Sequence, residues 1–232
     1  MEEITITQNG YNALFISYLH GKVQQRFSFL PAVCECKTDG EYAELAFRAE
    51  RAYCPYVKRF AKEYMADIIA VGYKYDFFEK RLRLPFLNEE QRRLLFTALV
   101  SADYKDDKAY AYRGLGGGNT FCLDGTYHFR LRELKTRWEG IAQYVPTNMN
   151  ALSLEDFLTF LTEDGEGKVF VKDGKVYDEE YRLLSRSVLT GEPSTVAEIL
   201  LGQAERIYCF GETDEQTTRF LKKYYPSKAV FC

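Results

Sequence analysis

The segment IYCFGETDEQTTRFLKKYYPSKAVFC, residues 207–232, decides the fold class of the C-terminal part of the chain. Its first four residues predict a buried strand, Asp214 to Tyr225 predict a helix, and AVFC at residues 229–232 predicts a final strand. Two strands joined by a helix through short links form a right-handed crossover in which the strands are parallel. The segment therefore predicts a small β-α-β unit.

Two antiparallel hairpins are predicted from Asp-Gly pairs, which favour tight two-residue turns. Asp173-Gly174 lies in the middle of VFVKDGKVYD. Asp39-Gly40 separates PAVCECKT, which begins at Pro31, from EYAELAFRA. Both flanking runs in each case are rich in residues that favour strands.

The N-terminal region predicts one more strand and two helices. EITITQ at residues 3–8 alternates and is followed by the turn residues Asn9-Gly10. A helical stripe then occupies Tyr11, Leu14, Phe15, Tyr18 and Leu19. Apolar side chains at spacings of three and four also predict a long helix from Pro55 to Leu82, which Gly72 can interrupt.

The centre of the chain predicts a helix followed by a loop. Asn88 and Gln91 have the spacing of a capping box, and the helix they begin extends to Ala102. The charged tract DYKDDK at residues 103–108 and the cluster GLGGGN at residues 114–119 then predict the most obvious loop in the sequence.

The sequence thus predicts an α+β protein with an N-terminal β-α-β-β-α unit, central helices, and a C-terminal hairpin plus a small β-α-β crossover. We divide it into an N-terminal portion, residues 1–84, and a C-terminal portion, residues 85–232, which can share one core.

Composition excludes a strong general attraction to polyanions. The net charge is −3, so binding to nucleic acid or to an anionic membrane would need a local basic patch. MEEITITQNG has no signal-peptide pattern and no apolar run approaches membrane-spanning length, so we expect a cytoplasmic location without a membrane. The six cysteines are then expected to be free thiols, and Cys34-x-Cys36 without a second pair is a weak metal signal. We expect no cofactor.

The stretch DGTYHFRLRELKTRW, residues 124–138, contains the only tryptophan and invites interpretation as a site. On a helix, one narrow stripe would contain Tyr127, Leu131, Leu134, Trp138 and Ile141. Trp138 is therefore expected to be a packing anchor in the core and not a stacking surface for a ligand.

The flanks of that predicted helix form a candidate binding surface. One flank would contain His128, Arg132 and Lys135, the other Arg130 and Arg137, with Phe129 opposite the core stripe. Basic stems beside a core stripe are commonplace. The alternative is that this surface receives an acidic peptide, a phosphate or an RNA backbone.

Two loops are weaker candidates for a ligand. Gly116, Gly117 and Gly118 offer bare backbone N–H groups, but the spacing matches neither the phosphate loop nor the dinucleotide fingerprint. Thr213 and Asp214 follow a predicted parallel strand, where open sheets bind ligands, although capping the next helix is the simpler role.

No sequence motif identifies a catalytic or metal site. The chain lacks a G-x-S-x-G elbow and an H-E-x-x-H pair, and its two histidines cannot form a cluster. We therefore assign no catalytic residue and no metal ligand, and favour a protein that is not an enzyme.

Several of these segments together resemble the YtxC-like family of sporulation proteins of endospore-forming Firmicutes. The resemblance spans Phe86 to Cys232, and its most specific piece is Phe129-Arg130-Leu131 within HFRLRELKTRWEGI. LNEEQRRLLFTAL precedes that piece, and SLEDFLTFL, KDGKVYD, IYCF and AVFC follow it. The resemblance implies a sporulation-associated cytosolic protein and supplies no catalytic or binding residues.

The sequence thus favours a protein that acts by binding another macromolecule through the helix from His128 to Arg137 and its glycine loop. The resemblance implies that it does so during sporulation. We expect an unidentified protein partner. The alternatives are a phosphate- or small-molecule-binding domain at one of the two loops, and RNA binding through the basic flanks.

Overall fold

A computed structural model confirms the α+β fold class and contains two mixed β-sheets. It describes residues 1–9, 13–27 and 32–232. The predictions for Gly10, Tyr11 and Pro31 lie outside these described residues.

The described chain forms two compact units. The first contains residues 1–74 and 105–140, and the second contains residues 75–104 and 141–232. Each unit is discontinuous in sequence, whereas the two portions predicted above are continuous.

The first unit is built on a sheet of four strands. These are β1 (Glu2–Asn9), β2 (Ala32–Thr38), β3 (Tyr42–Ala49) and β4 (Thr120–Cys122), in the order β2-β3-β1-β4. β3 pairs antiparallel with β1 and β2, while β4 pairs parallel with β1. The predicted turn is present: the Tyr42 N–H donates to the Asp39 carboxylate at 2.8 Å, and Gly40 has a φ of +93°.

The described residues contain ten α-helices. They are α1 (Ala13–Phe27), α2 (Cys54–Asp67), α3 (Lys74–Arg81), α4 (Glu89–Ala102), α5 (Tyr104–Gly114), α6 (Leu123–Gly125), α7 (Arg132–Tyr144), α8 (Ala151–Glu163), α9 (Thr195–Gly202) and α10 (Glu215–Tyr224). The predicted capping box is confirmed, since the side chain of Asn88 accepts from the Gln91 N–H at 2.8 Å and Gln91 reciprocates.

The long helix predicted from Pro55 changes its winding near Gly72. Residues Ile68–Tyr73, between α2 and α3, have π-helical hydrogen bonding. A Cβ atom added at Gly72 would lie 2.5 Å from the ring of Phe15 on α1. Only glycine allows this close approach. The wider π-helical winding therefore occurs where a neighbouring aromatic ring packs directly against the helix backbone.

The prediction of a loop at residues 103–108 is wrong, because α5 begins at Tyr104. The charged tract DYKDDK suggests a solvent-exposed loop, but one of its residues is buried. Asp107 is 1% exposed and lies 2.7 Å from the Nζ atom of Lys74, which is 0% exposed. The indole N–H of Trp138 also donates to Asp107 at 2.8 Å. This neutralised buried network stabilises a helix that the local sequence does not predict.

The stretch from Asp124 to Trp138 is not one regular helix. Residues Thr126–Arg130 are π-helical, and Leu131, with φ −109° and ψ 37°, separates them from α7. The Leu131 side chain lies so close to Gly114 that a Cβ there would be 2.5 Å from it. The predicted core stripe nevertheless survives, with Tyr127, Leu131, Leu134 and Trp138 buried and Ile141 half-buried.

The second unit contains a sheet of five strands in the order β7-β6-β5-β8-β9. Its strands are β5 (Lys168–Lys172), β6 (Lys175–Tyr177), β7 (Leu183–Leu184), β8 (Arg206–Phe210) and β9 (Ala229–Phe231). β5 and β6 form the predicted hairpin, with a φ of +50° at Asp173 and +71° at Gly174. β8 pairs parallel with both β5 and β9, which confirms a parallel arrangement around α10.

The sequence predicts that Ser153, at the start of SLEDFLTFL, and Thr195 cap helices of this unit, and the structure differs in both places. The side chain of Asn150, and not Ser153, caps α8 by accepting the N–H groups of Leu152 and Ser153. The side chain of Ser194, and not Thr195, caps α9. Capping requires non-helical φ and ψ. In both cases an earlier residue has such an extended backbone, so its side chain forms the cap.

The buried face of the second sheet is apolar. Val169, Val171, Ile207 and Cys209 point to it and are at most 3% exposed. Gly202, at the end of α9, would place a Cβ 3.3 Å from the Val169 side chain, so this helix packs closely on that face. The prediction that IYCF is buried is therefore only half right, since Tyr208 and Phe210 alternate onto the opposite face.

Candidate functional site

The helical surface predicted from residues 128–137 is only partly open. His128, Arg130 and Arg132 are exposed, and the ring of Phe129 is 74% exposed, as its place opposite the core stripe predicts. The π-helical winding of Thr126–Arg130 breaks the regular spacing on which the predicted cluster of His128, Arg132 and Lys135 depended.

Two basic side chains of that surface are engaged within the first unit. The ammonium of Lys135 lies over the Tyr127 ring, 4.9 Å from its centroid. The Arg137 guanidinium lies 3.4 Å from the Asp107 carboxylate and over the Tyr110 ring. These contacts favour a structural role for both residues.

The glycine loop is tied to α2 by Lys58. The ammonium of Lys58 donates to the backbone oxygen of Gly117 and to the Asn119 side chain. Gly116 has a φ of +69° and its N–H donates to the Arg113 oxygen at 3.4 Å, while Gly117 and Gly118 are exposed. The cation thus contacts loop oxygens, which is the arrangement of a tethered loop.

The loop at Thr213 and Asp214 caps a helix. The Asp214 carboxylate accepts the Thr217 N–H at 2.8 Å at the start of α10. Burial alone would raise the pKa of Asp214, but the hydrogen bonds from Thr217 and from the backbone of Asp214 and Gln216 together outweigh burial and lower that pKa. The Thr213 side chain forms a hydrogen bond with the Cys209 thiol. Burial raises the pKa of Cys209, although this hydrogen bond acts to lower it. Both side chains therefore have structural partners.

A cavity of about 710 Å³ lies among α4, the start of α9 and α10. Its charged side chains are paired with one another or with immediate neighbours. Arg93 pairs with Glu89 and Glu192, the Gln216 amide donates to Glu90, Arg219 pairs with Glu215 and Lys223 pairs with Glu155. Because these charged side chains already have partners, nothing in the arrangement favours a charged ligand in the cavity.

The described residues contain no candidate metal cluster, and the Cys34 thiol is unreactive. Across residues 1–9, 13–27 and 32–232, no three His, Cys, Asp or Glu side chains are grouped so that they could hold a metal ion. Burial, together with the neighbouring Cys36, raises the pKa of Cys34 to about 12. The Cys34 thiol is therefore a poor nucleophile at neutral pH. None of the described helices is long and apolar enough to cross a membrane.

The outward face of the second sheet has a different character. Because side chains alternate along a strand, every second residue of β5, β6 and β8 points away from the apolar core. These outward residues are Lys168, Phe170, Lys172, Lys175, Tyr177, Arg206, Tyr208 and Phe210. We call this surface the aromatic–basic face.

Aromatic rings form a row across the middle of the aromatic–basic face. Strand pairing places Phe170 opposite both Tyr177 and Tyr208. The Phe170 and Tyr208 ring centroids are 5.7 Å apart at 26°, and Phe170 and Phe210 are 6.2 Å apart at 27°. The ring planes are nearly parallel, and each of these residues is half-buried or exposed, so this face presents aromatic surface to solvent.

Cations flank this row on both sides. Pairing places Lys168 beside Arg206 at one end, and Lys172 beside Lys175 at the other. All four are exposed, and none of them forms an ion pair with a described residue. No outward position of β5, β6 or β8 holds an acid. The face is therefore a local basic patch on a chain whose net charge is −3.

The sequence contains the signal for this face, although the predicted sites did not include it. KVFVK, KVY and RIYCF each alternate apolar residues with basic or aromatic ones. The decisive information is the register, which brings Phe170 and Tyr208 together from distant parts of the chain. Periodicity within one strand cannot provide it.

Comparison with protein-family models, with curated proteins and with solved structures found no match. The resemblance to the YtxC-like family therefore stays a prediction from the sequence.

Proposed function

We propose that this protein binds single-stranded nucleic acid through the aromatic–basic face. The observation that carries the proposal is the row of Tyr177, Phe170 and Tyr208 between two pairs of exposed cations. This surface differs from the helix flanks on which the sequence-based RNA hypothesis depended.

The aromatic row supports stacking of unpaired bases. Neighbouring strands lie about 4.8 Å apart, so a row across three strands spans about 10 Å. Sheet-based RNA-binding modules stack about two or three bases on rings arranged in this way. A duplex hides its base faces, so such a surface favours single strands.

The flanking cations support contacts with the phosphate backbone. Lys168 and Arg206 lie at one side of the aromatic row, with Lys172 and Lys175 at the other. A strand whose bases stack on the row could therefore place phosphates near cations at both sides. Electrostatic contacts of this kind contribute affinity without sequence preference and weaken as salt rises.

Binding of fluorescent single strands tests the proposal. Oligonucleotides of about eight residues, as RNA and as DNA, would be titrated with protein at about 50 mM salt and followed by anisotropy. We expect saturable binding that Lys172→Glu weakens and Lys222→Glu leaves unchanged, since Lys222 is an exposed lysine on α10. Absence of binding to both strands, or equal loss in both variants, would contradict the proposal. Preference for one strand type would show that the sugar is read.

The biological setting that we propose depends on the resemblance to the YtxC-like family alone, whose most specific piece is Phe129-Arg130-Leu131. If the chain belongs with the YtxC-like proteins, its binding activity operates in the cytoplasm during sporulation. Deleting the gene in an endospore-forming host would then reduce spore yield. Normal spore formation in the deletion strain would contradict this setting but not the binding activity.

A further inference from the structure

The ring of Tyr181 covers one face of the Phe170 ring on the aromatic–basic face. The angle between the two ring planes is 13°, and the ring centroids are 4.6 Å apart. Nearly parallel rings at so short a distance overlap face to face, because rings that lie side by side need a larger separation. Tyr181 is itself 69% exposed, whereas Phe170 is half-buried. A base that stacks on this face of Phe170 must therefore displace the tyrosine.

A tight turn between β6 and β7 holds Tyr181 in this place. The Tyr181 N–H donates to the Asp178 backbone oxygen at 3.0 Å, and the Asp178 carboxylate accepts the N–H groups of Glu180 and Arg182. The turn gives Tyr181 a φ of +57°, in the left-handed region that glycine and asparagine adopt more readily than a large side chain. The turn therefore does not require a tyrosine, and what the tyrosine adds is its ring on Phe170.

The same turn brings negative charge to the aromatic–basic face. Residues 178–182 contain three carboxylates and one guanidinium, and thus have a net charge of −2. The Glu179 carboxylate lies 2.8 Å from the position that a Cβ atom on Gly167 would occupy. Gly167 directly precedes Lys168, one of the cations that we expect phosphates to contact. The acidic turn therefore reaches the start of β5, beside the basic edge of the proposed site.

We propose that residues 178–182 form an autoinhibitory cover on the single-strand site, with Tyr181 in the place of a stacked base. This inference depends on the proposed function. The closed cover keeps bases from one face of Phe170, and its carboxylates repel the phosphates of an approaching strand. Only the open fraction of the protein binds with full affinity, so the cover weakens binding in proportion to that fraction. The free energy of opening does not depend on the strand, so the weakening is the same for every base.

Removal of the Tyr181 ring tests the cover. Oligoadenylate and oligocytidylate of about eight nucleotides would be titrated with the unaltered protein and with Tyr181→Gly, since glycine suits the positive φ. We expect Tyr181→Gly to bind both strands more tightly by the same factor, about 2- to 10-fold, which corresponds to the loss of one aromatic pair. Tyr181→Phe keeps a ring on Phe170 and should bind as the unaltered protein does.

Removal of one carboxylate tests the electrostatic part of the cover. Glu179→Gln keeps the size of the side chain and removes its charge, so both oligonucleotides should bind more tightly at about 50 mM salt. The gain should shrink at about 300 mM salt, because salt screens the repulsion between carboxylate and phosphate. Glu139→Gln is the matched control, since Glu139 is an exposed acid on α7 in the first unit. An equal gain in both variants would contradict a specific effect of the turn.

Tyr181→Asn provides a second variant without the ring, since asparagine tolerates the left-handed region. If both ring-deleted variants bind more weakly than the unaltered protein, Tyr181 is part of the stacking surface and the cover is refuted, while the proposed function stands. Unchanged affinity in both variants refutes the cover in the same way. If neither the unaltered protein nor any variant binds a single strand, the proposed function itself fails, and the cover fails with it.

Discussion

Phe170 and Tyr208 lie directly opposite each other on neighbouring parallel strands, with their ring centroids 5.7 Å apart. The residues that flank them, Val169 and Ile207 among them, point into the apolar core. The rigid sheet thus holds two rings towards solvent in fixed positions. Such a preformed surface loses little conformational entropy when a flat ligand stacks on it.

Removal of the Tyr208 ring should weaken nucleic-acid binding. We expect Tyr208→Ala to lower affinity by about 5- to 100-fold, because one base–aromatic stack contributes about 1–3 kcal/mol. Tyr56→Ala is the matched control, since Tyr56 is 61% exposed on α2. Anisotropy titrations measure both variants, and equal effects would show that Tyr208 has no special role.

Binding should depend steeply on salt. Four contacts between cations and phosphates on a single strand predict a slope of about −3 in a plot of log K against log salt. Substituting Lys168 or Arg206 with alanine should each reduce the magnitude of that slope by about 0.7. A slope near zero in the unaltered protein would mean that the cations of the aromatic–basic face do not contact phosphates.

The buried pair of Lys74 and Asp107 should contribute strongly to the stability of the first unit. Their atoms Nζ and Oδ2 are 2.7 Å apart. Lys74→Met removes the closer and fully buried cation and leaves the Asp107 carboxylate with only the part-exposed Arg137 at 3.4 Å, so the free energy of unfolding should fall by about 3 kcal/mol. Urea denaturation measures the loss, and adding Asp107→Leu should restore part of it. If Lys74→Met alone is as stable as the unaltered protein, the pairing of Lys74 with Asp107 is contradicted.

Gly72 should not tolerate a side chain. Gly72→Ala places a methyl group 2.5 Å from the Phe15 ring, so we expect a loss of about 1–3 kcal/mol in stability. Gly21→Ala is the control, because nothing lies within 4 Å of its added Cβ and alanine favours helix α1. The midpoint temperature of thermal unfolding should therefore fall in Gly72→Ala and rise in Gly21→Ala.

The cap of α10 should be weaker in acid. Burial raises the pKa of Asp214, but hydrogen bonds from Thr217 and from the backbone of Asp214 and Gln216 together lower it in the folded state. The stability from the ionised carboxylate is therefore present above the unfolded pKa of about 3.9 and is lost as pH falls through the folded pKa. Asp214→Ala should cost about 1 kcal/mol at neutral pH and less below about pH 3. Asp214→Asn keeps a capping oxygen, so its stability relative to alanine should not depend on pH.

Local patterns predicted most of the elements, whereas distant contacts decided the exceptions. Asp-Gly turns, the Asn88 capping box and the strands of the crossover are all specified by neighbouring residues. The helix at Tyr104–Gly114 was missed because Asp107 is neutralised by Lys74, which lies elsewhere in the sequence. The break at Leu131 occurs where the Leu131 side chain packs closely against Gly114.

The candidate site could be predicted only in part for the same reason. The alternation of KVFVK and RIYCF shows which residues share a face of one strand. It does not show which face the helices cover, nor that Phe170 pairs with Tyr208. The rare residues from Asp124 to Trp138 attracted a functional interpretation, but Trp138 and Arg137 both contact the buried Asp107.

Photochemical crosslinking tests the central claim most directly. A single-stranded RNA containing 4-thiouridine would be irradiated with the unaltered protein, and the crosslinked peptides identified by mass spectrometry. We predict crosslinks in residues 168–177 and 206–210, which form the aromatic–basic face. Crosslinks confined to residues 128–137, or none at concentrations that saturate binding, would contradict the assignment of nucleic-acid binding to this sheet.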